Sequence, residues 1–300
     1  MRLHILGCTA ATPNSIANPT AQVLETKRHM FLIDCGEGTQ VQLRRQKLRF
    51  ARINHIFISH LHGDHFFGLI GLISTFMLLG RTEDLHVYGP KGIKEIILLQ
   101  LKLGNGYTPY KLYFHELTSN ESEVLFEDNR IKISTIPLVH RVYTNGFLFQ
   151  EKEVEFELNL DKLNELEIPV VYYQKLKQGG DIVVDDVLYK NELLTLKQKP
   201  QKAYAFCSDT KYSEAIVPII KNCTALYHES TFLEKDAALA ERTAHTTAKQ
   251  AATIAKLANV DQLILGHFSS RYKNNEVFGD EAKTIFSNTL IARDGKTFEI

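Results

Sequence analysis

The stretch Ile56-Phe57-Ile58-Ser59-His60-Leu61-His62-Gly63-Asp64-His65 decides how this chain is read. An apolar β-type run ends in a turn that carries three imidazoles and a carboxylate in the pattern H-x-H-x-D-H. Neutral imidazole nitrogen and carboxylate oxygen are donors that zinc favours, and a catalytic site leaves one position for water. In extended chain alternate side chains share a side, so His60 and His62 point together while adjacent Asp64 and His65 point elsewhere. Gly63 is expected to permit the tight bend between them. A lone histidine is more often a core or surface residue than a ligand. Four donors on one strand–turn–helix junction make a solvated polar loop the poorer account, and they predict two metals sharing one turn.

Two metals need more ligands than one turn supplies, and other strand ends offer them. His140 follows Ile136-Pro137-Leu138-Val139, Asp209 follows Ala205-Phe206-Cys207-Ser208, and His267 follows Leu263-Ile264-Leu265-Gly266. Each alone is weak, since a single histidine after a strand is usually structural. Together they complete a set: His60, His62 and His140 on one ion, Asp64, His65 and His267 on the other. Asp209 is expected to bridge, because a carboxylate has two oxygens to share. His4, His29, His55, His86 and His115 lack such neighbours and read as structural or surface residues.

The rest of the chain reads as a soluble globular protein. Its 300 residues, 44% hydrophobic and 23% charged, can bury a sizeable core. The N-terminal Met1-Arg2-Leu3-His4-Ile5-Leu6-Gly7 is too short an apolar stretch for a signal peptide, and no window approaches the roughly 18 apolar residues of a membrane span. Cys8, Cys35, Cys207 and Cys223 lie far apart without a C-x-x-C, which points away from a disulfide framework and toward a reducing cytoplasm. Net charge is zero, so a polyanion would have to be held by local basic patches.

Short β-type runs at 3–6, 21–24, 30–33 and 56–59 are broken by turn residues, and further strands are expected at 85–88, 131–136, 146–149, 203–207, 225–227 and 262–265. Apolar spacing predicts helices over 66–79 and 91–103. Thr247 followed by Gln250 reads as a capping box opening a helix that runs to Ala258. Residues 151–200 differ: they are rich in Lys and Glu, punctuated by Pro169 and Gly179-Gly180, and read as an arm inserted in one domain spanning 1–300. Runs of strands with helices between them suggest packed sheets flanked by helices, an α/β (α+β) class.

At this point the chain resembles the metallo-β-lactamase superfamily and, more closely, the ribonuclease Z (tRNA 3′-processing endoribonuclease) family. H-x-H-x-D-H carries the broader likeness. The narrower one rests on Asp34-Cys35-Gly36-Glu37-Gly38-Thr39-Gln40, Val87-Tyr88-Gly89-Pro90-Lys91-Gly92, Ser208-Asp209-Thr210, His228-Glu229-Ser230-Thr231-Phe232, Ala244-His245-Thr246-Thr247 and Gly266-His267-Phe268-Ser269-Ser270-Arg271-Tyr272, in family order. The resemblance implies a four-layer αββα sandwich with two zinc ions at one edge of the sheets, the same seven ligands, a precursor tRNA substrate and a homodimer. It also implies that Asp64 is the general base, and that His245, paired with Glu229, gives a proton to the leaving oxygen. Histidine suits that task near neutrality.

Departures from the family pattern concern substrate grip. The arm, a candidate tRNA-binding exosite, keeps the flanks Ile168-Pro169 and Lys175-Leu176-Lys177 but lacks the family's Gly-Pro. The loop from Thr12-Pro13-Asn14 to Asn18-Pro19-Thr20 lacks the arginine common there, and the family's His-Ser-Thr is His-Thr-Thr here. Candidate phosphate contacts are Lys175 and Lys177 on the arm, the basic run Arg44-Arg45-Gln46-Lys47-Leu48-Arg49 with Arg52, and Arg271, for which a structural ion pair is the alternative. Two other functions compete: a hydrolase of small or cyclic nucleotide esters, which needs no arm, and an RNA-binding protein without catalysis, which would require broken ligands. None is broken.

Overall fold

The computed structural model describes residues 1–12, 17–152, 155–196 and 200–300. Part of the arginine-free loop, residues 13–16, and residues 153–154 and 197–199 of the arm lie outside the described residues. In chain order the strands are β1 (Arg2–Gly7), β2 (Ala21–Glu25), β3 (Met30–Ile33), β4 (Ile53–Phe57), β5 (Leu85–Pro90), β6 (Leu112–Leu117), β7 (Val124–Glu127), β8 (Ile131–Pro137) and β9 (Asn145–Glu151). They continue as β10 (Ile182–Val184), β11 (Val187–Tyr189), β12 (Ala203–Cys207), β13 (Ala225–Glu229), β14 (Gln262–Gly266), β15 (Thr289–Ile291) and β16 (Thr297–Glu299).

Two seven-stranded sheets result, ordered β16-β1-β2-β3-β4-β5-β6 and β15-β14-β13-β12-β9-β8-β7. The first is antiparallel from β16 to β3 and parallel from β3 to β6. In the second, β12 to β15 run parallel. Period-2 alternation assigns the faces. Phe31 and Phe57 turn inward and meet Phe147 and Phe149 from the other sheet at ring separations of 5.4–5.6 Å. Their neighbours Leu32 and Ile56 turn outward, onto Leu69, Leu72, Ile73 and Phe76 of the helix Leu69–Leu78. On the second sheet the helix Ala248–Leu257 covers β13 and β14. Helices therefore flank two stacked sheets, an αββα sandwich.

Three sequence expectations are corrected. The helix expected over 66–79 is broken into Gly63–Phe66 and Leu69–Leu78. The break sits where Gly68 presses on the loop after β3: a Cβ there would stand 2.0 Å from the Gly36 carbonyl oxygen. The strand expected at 56–59 is β4, which begins earlier and stops at Phe57, because the Ser59 N–H donates to the Asp34 carboxylate at 2.7 Å instead of joining a ladder. Gly63 is not in the left-handed region. It is glycine because the Phe67 ring packs against it, 2.3 Å from where a Cβ would be. The capping box at Thr247 and Gln250 is present with both of its bonds.

Residues Glu127–Lys132 and Gln150–Gln201 form a second compact unit. It has its own small apolar cluster of Leu163, Ile168, Leu176, Ile182 and Leu194, with Tyr172, Tyr173 and Tyr189 packed against it. Within it stand the hairpin β10–β11 and the helices Leu160–Glu165, Tyr173–Lys177 and Asn191–Leu194.

Candidate metal centre

Ligands in open α/β sheets gather beyond the carboxyl ends of parallel strands, and the chemistry-bearing residues of this chain do the same. Ser59 to His65 follow β4, His140 follows β8, Asp209 follows β12, Glu229 ends β13, and His267 follows β14. His62 is still extended (φ −77°, ψ 144°) and precedes the helical turn Gly63–Phe66, so His60 and His62 lie on extended chain while Asp64 and His65 lie on the turn. Three groups of donors come together: His60, His62, His140 and Asp209; Asp64, His65 and His267; and Asp209, Glu229, His245 and His267. All seven residues selected from spacing are in the first two groups.

Asp209 stands between the first two. Its Oδ2 lies 3.7 Å from His60 Nε2, while its Oδ1 lies 3.5 Å from His65 Nε2 and 3.1 Å from His267 Nε2. Asp64 Oδ2 lies 3.5 and 3.6 Å from the Nε2 atoms of His65 and His267, and accepts the Ala11 N–H at 2.8 Å. Asp209 and Asp64 are both partly or fully buried, which disfavours ionisation. The imidazoles around them outweigh this and hold both carboxyls far below the usual range.

The far side of each ring is tied down, so tautomers can be assigned. Ser59 Oγ donates to Asp34 Oδ2 and therefore accepts from His60 Nδ1–H at 3.0 Å. His65 Nδ1–H donates to Asp34 at 2.7 Å. Thr231 Oγ1 donates to Glu229 at 2.6 Å and accepts from His267 Nδ1–H at 2.9 Å. His140 Nδ1–H donates to the Ala244 carbonyl at 2.8 Å. In the neutral form that a metal ligand takes, each of these four rings thus presents an unprotonated Nε2 to the cluster, an outer arrangement that metal-binding histidines commonly have. Asp34 (φ 56°) and His267 (φ 57°) are held left-handed at the site, a conformation disfavoured for residues with a Cβ.

Whether these residues fit metal ions is answered by two features. His140 Nε2 is buried with no hydrogen-bond partner among the described residues. A lone pair left so in the interior is costly unless something accepts it. Second, His60 Nε2 and His62 Nδ1 approach to 3.0 Å, and His65 Nε2 and His267 Nε2 to 3.4 Å. Two nitrogens on one tetrahedral zinc at ~2.0–2.1 Å stand roughly 3.3 Å apart. Burial pushes His60, His62 and His140 below their ordinary range, favouring the neutral ligand form. The residues present fit metal ions.

Glu229 and His245 make a dyad beside it. Glu229 is fully buried and accepts the N–H groups of Thr210, Thr231 and Thr246. Its Oε1 also accepts His245 Nδ1–H at 2.8 Å. Burial disfavours a charged imidazole, but the Glu229 carboxylate prevails and pushes His245 up to about 9. Asp209 Oδ2 is 3.9 Å from the same nitrogen.

Arg271 is exposed, its guanidinium 5.9 Å from the centre of the Phe232 ring; among the described residues no carboxylate pairs with it. Lys175 and Lys177 are on the helix Tyr173–Lys177 of the second unit. In the basic run, Arg52 is engaged by Glu25 at 3.1 Å. The reading of His86 and His115 as lacking neighbours is corrected: paired strands β5 and β6 bring His86 Nδ1 and His115 Nε2 to 3.0 Å. Sequence reasoning missed Asp34 and Thr231 as supports of the ligand histidines.

Residues 1–178 match the family model described as Anti-Pycsar protein Apyc1. Ribonuclease Z of Bacteroides thetaiotaomicron is 46% identical over 299 residues, covering 99% of this chain and 95% of that protein. Ribonuclease Z of Porphyromonas gingivalis is 43% identical, covering 97% of this chain and 96% of that protein. Among solved structures, the short form of human tRNase Z is similar with a TM-score of 0.75 and 27% identity, over 100% of this chain and 99% of that one. The metallo-β-lactamase fold protein YhfI of Bacillus subtilis, at 18% identity and a TM-score of 0.70 over 100% and 99% of the two chains, shares the fold.

Proposed function

The chain belongs to the ribonuclease Z family and, through residues 1–178, to the Anti-Pycsar protein Apyc1 family, and on that premise we propose that its metal centre carries two zinc ions and cuts precursor tRNA at the 3′ end. It is a tRNA 3′-processing endoribonuclease on the metallo-β-lactamase fold. The observation that carries the two-ion reading is Asp209, whose two oxygens face different donor groups. His60, His62, His140 and Asp209 Oδ2 would hold one ion, and Asp64, His65, His267 and Asp209 Oδ1 the other. Bound there, the ions supply Lewis acidity, which makes water more acidic and offsets phosphate charge.

The chain's own groups do the rest. Asp64 takes the proton of the attacking water. A phosphorus–oxygen bond forms as the bond to the ribose 3′ oxygen breaks. Glu229 holds His245 at Nδ1, so Nε2–H is the proton offered to that oxygen. The tRNA is left with a 3′-hydroxyl and the trailer with a 5′-phosphate.

The arm, residues 151–200, is the proposed tRNA exosite, with Lys175 and Lys177 on backbone phosphates, and Arg271, which follows the ligand His267, is proposed on the scissile phosphate. Without the family's Gly-Pro its grip is expected to be weaker. Deleting it should impair cleavage of precursor tRNA and spare hydrolysis of bis(p-nitrophenyl)phosphate; loss of both alike would make it a structural flap. A homodimer, one subunit's arm serving the other's site, belongs to the proposal. The exposed Leu78 and Leu79 at the end of the helix Leu69–Leu78, with Leu99 and Leu103 of the neighbouring helix Ile93–Leu103, support it, and a fully active monomer in sedimentation would remove it. A cytoplasmic location is supported by four free, buried cysteines; no helix among the described residues is long and apolar enough to cross a membrane.

The test is elemental analysis of zinc-supplemented protein, with two metals per chain expected, alongside relative rates on a 3′-extended precursor tRNA and bis(p-nitrophenyl)phosphate. Less than one metal per chain would defeat the two-ion reading. Rapid hydrolysis of the small ester alone would transfer the site to small or cyclic nucleotide esters.

A further inference from the structure

We propose that the pocket beside His140 is the subsite for the nucleotide on the leaving-oxygen side of the scissile bond, and that Arg141 holds that nucleotide's own phosphate. The inference rests on the ribonuclease reading and adds a place for the substrate.

The pocket has a volume of about 410 Å³ and is lined by Asn120 and by residues 137–145, with Val139, His140, Arg141, Val142 and Tyr143 among them. That is the scale of a small-ligand site, roughly 300–1,000 Å³. Its position relative to the chemistry is set by His140. The His140 ring is 5.2 Å from His62 on the metal side and 5.1 Å from His245, the proton donor. A leaving ribose whose 3′ oxygen receives the His245 proton must therefore pass along this side of the centre.

Three features of the pocket match a nucleotide. Arg141 is exposed, and among the described residues no carboxylate pairs with it. A guanidinium beside an RNA-cutting centre is suited to two parallel N–H bonds with a phosphate. Val139 and Val142 are 45% and 41% exposed on either side of it, an apolar surface for a sugar or base face. Asn145 is 1% exposed, and its orientation can be assigned. The Tyr143 hydroxyl donates to the Ser119 carbonyl, so it accepts from Asn145 Nδ2–H. Asn145 Oδ1 is left buried with no partner among the described residues. Such an acceptor calls for a donor, and a ribose hydroxyl or a base N–H is one.

The alternative is a solvated arginine with no substrate contact, and a charge-deletion cycle separates the two. Metal-loaded wild type, Arg141→Ala and Arg141→Lys are assayed on a 3′-extended precursor tRNA. The same RNA is then assayed with one neutral methylphosphonate in place of the phosphate 5′ to the leaving nucleotide. Arg141→Ala should raise KM about tenfold and flatten the salt dependence by about one logarithmic unit. Arg141→Lys should recover the salt slope, because it keeps the charge. The methylphosphonate should weaken the wild type by a similar factor and cost Arg141→Ala nothing more. Equal metal content in all three proteins shows that the centre is intact. An unchanged KM in Arg141→Ala overturns the proposal, and so do losses that add in the double change. A wild type that leaves precursor tRNA uncut defeats the ribonuclease reading and takes the subsite with it.

Discussion

Replacing His245 with alanine removes a group that acts on the leaving oxygen and holds no metal in the proposed arrangement. The structure allows its effect to be sized. Its Nδ1 is committed to Glu229 at 2.8 Å, and against the opposing effect of burial that carboxylate pushes His245 up, toward the protonated form in which it gives its proton. A positioned general acid contributes on the order of 10²–10⁴ in rate. A ribose alkoxide is a strong base and leaves poorly without a proton, whereas p-nitrophenolate leaves readily as an anion. His245→Ala should therefore slow precursor tRNA cleavage by about 10²–10³, or about 2.7–4 kcal/mol, and change bis(p-nitrophenyl)phosphate turnover far less. Both rates are measured on one preparation whose metal content equals that of the wild type. Equal slowing of the two substrates, or a fall in bound metal, would show that His245 serves the centre and not the leaving group.

Three other perturbations bear on supports and scaffold. Asp34→Asn withdraws the charged acceptor of His65 Nδ1–H and should weaken metal binding about 10–100-fold, read by competition with a chelator; unchanged affinity would refute the support role. Gly68→Ala forces a Cβ to 2.0 Å from the Gly36 carbonyl and should cost about 3 kcal/mol, lowering Tm by roughly 5–10 °C; an unshifted Tm would mean the contact yields freely. Glu25 is partly buried, which opposes ionisation, but His4, Arg2 and Arg52 hold its carboxyl below the ordinary 4.5. A lowered carboxyl stabilises above the unfolded value and loses that stability as pH falls through the folded one. Glu25→Gln should then be less stable near neutrality by about 1 kcal/mol or less, with the gap closing below pH ~4; a gap independent of pH would show that charge is not its source.

The metal cluster was legible because its residues follow strand ends. H-x-H-x-D-H after β4 and single donors after β8, β12 and β14 converge in the fold, and parallel pairing through β13 aligns the carboxyl ends of β12 and β14. The supports were not legible. Asp34, Thr231 and the Ala244 carbonyl reach the ligands from loops distant in sequence, and nothing in their local pattern marks that duty. Arg141 was hidden for a different reason: a charge next to a ligand is common, and only its exposure and lack of a partner give it weight. In the scaffold, the error at 66–79 came from a tertiary contact, Gly68 on Gly36, overriding a continuous apolar period. Edge strands such as β6 and the three-residue β15 and β16 escaped notice because half-exposed or very short strands show little alternation. The small apolar cluster of residues 150–201 was likewise obscured by the charged surface around it.

The central claim is that this site hydrolyses the phosphodiester at the 3′ end of a precursor tRNA, with the proton going to the ribose oxygen. End analysis of the products tests it most directly. Zinc-loaded protein is incubated with a 3′-extended precursor tRNA, and the termini of both fragments are identified. The account predicts one cut, with a 3′-hydroxyl on the tRNA, a 5′-phosphate on the trailer, and no cut after chelation. A 2′,3′-cyclic or 3′-phosphate on the tRNA, paired with a 5′-hydroxyl on the trailer, would contradict it.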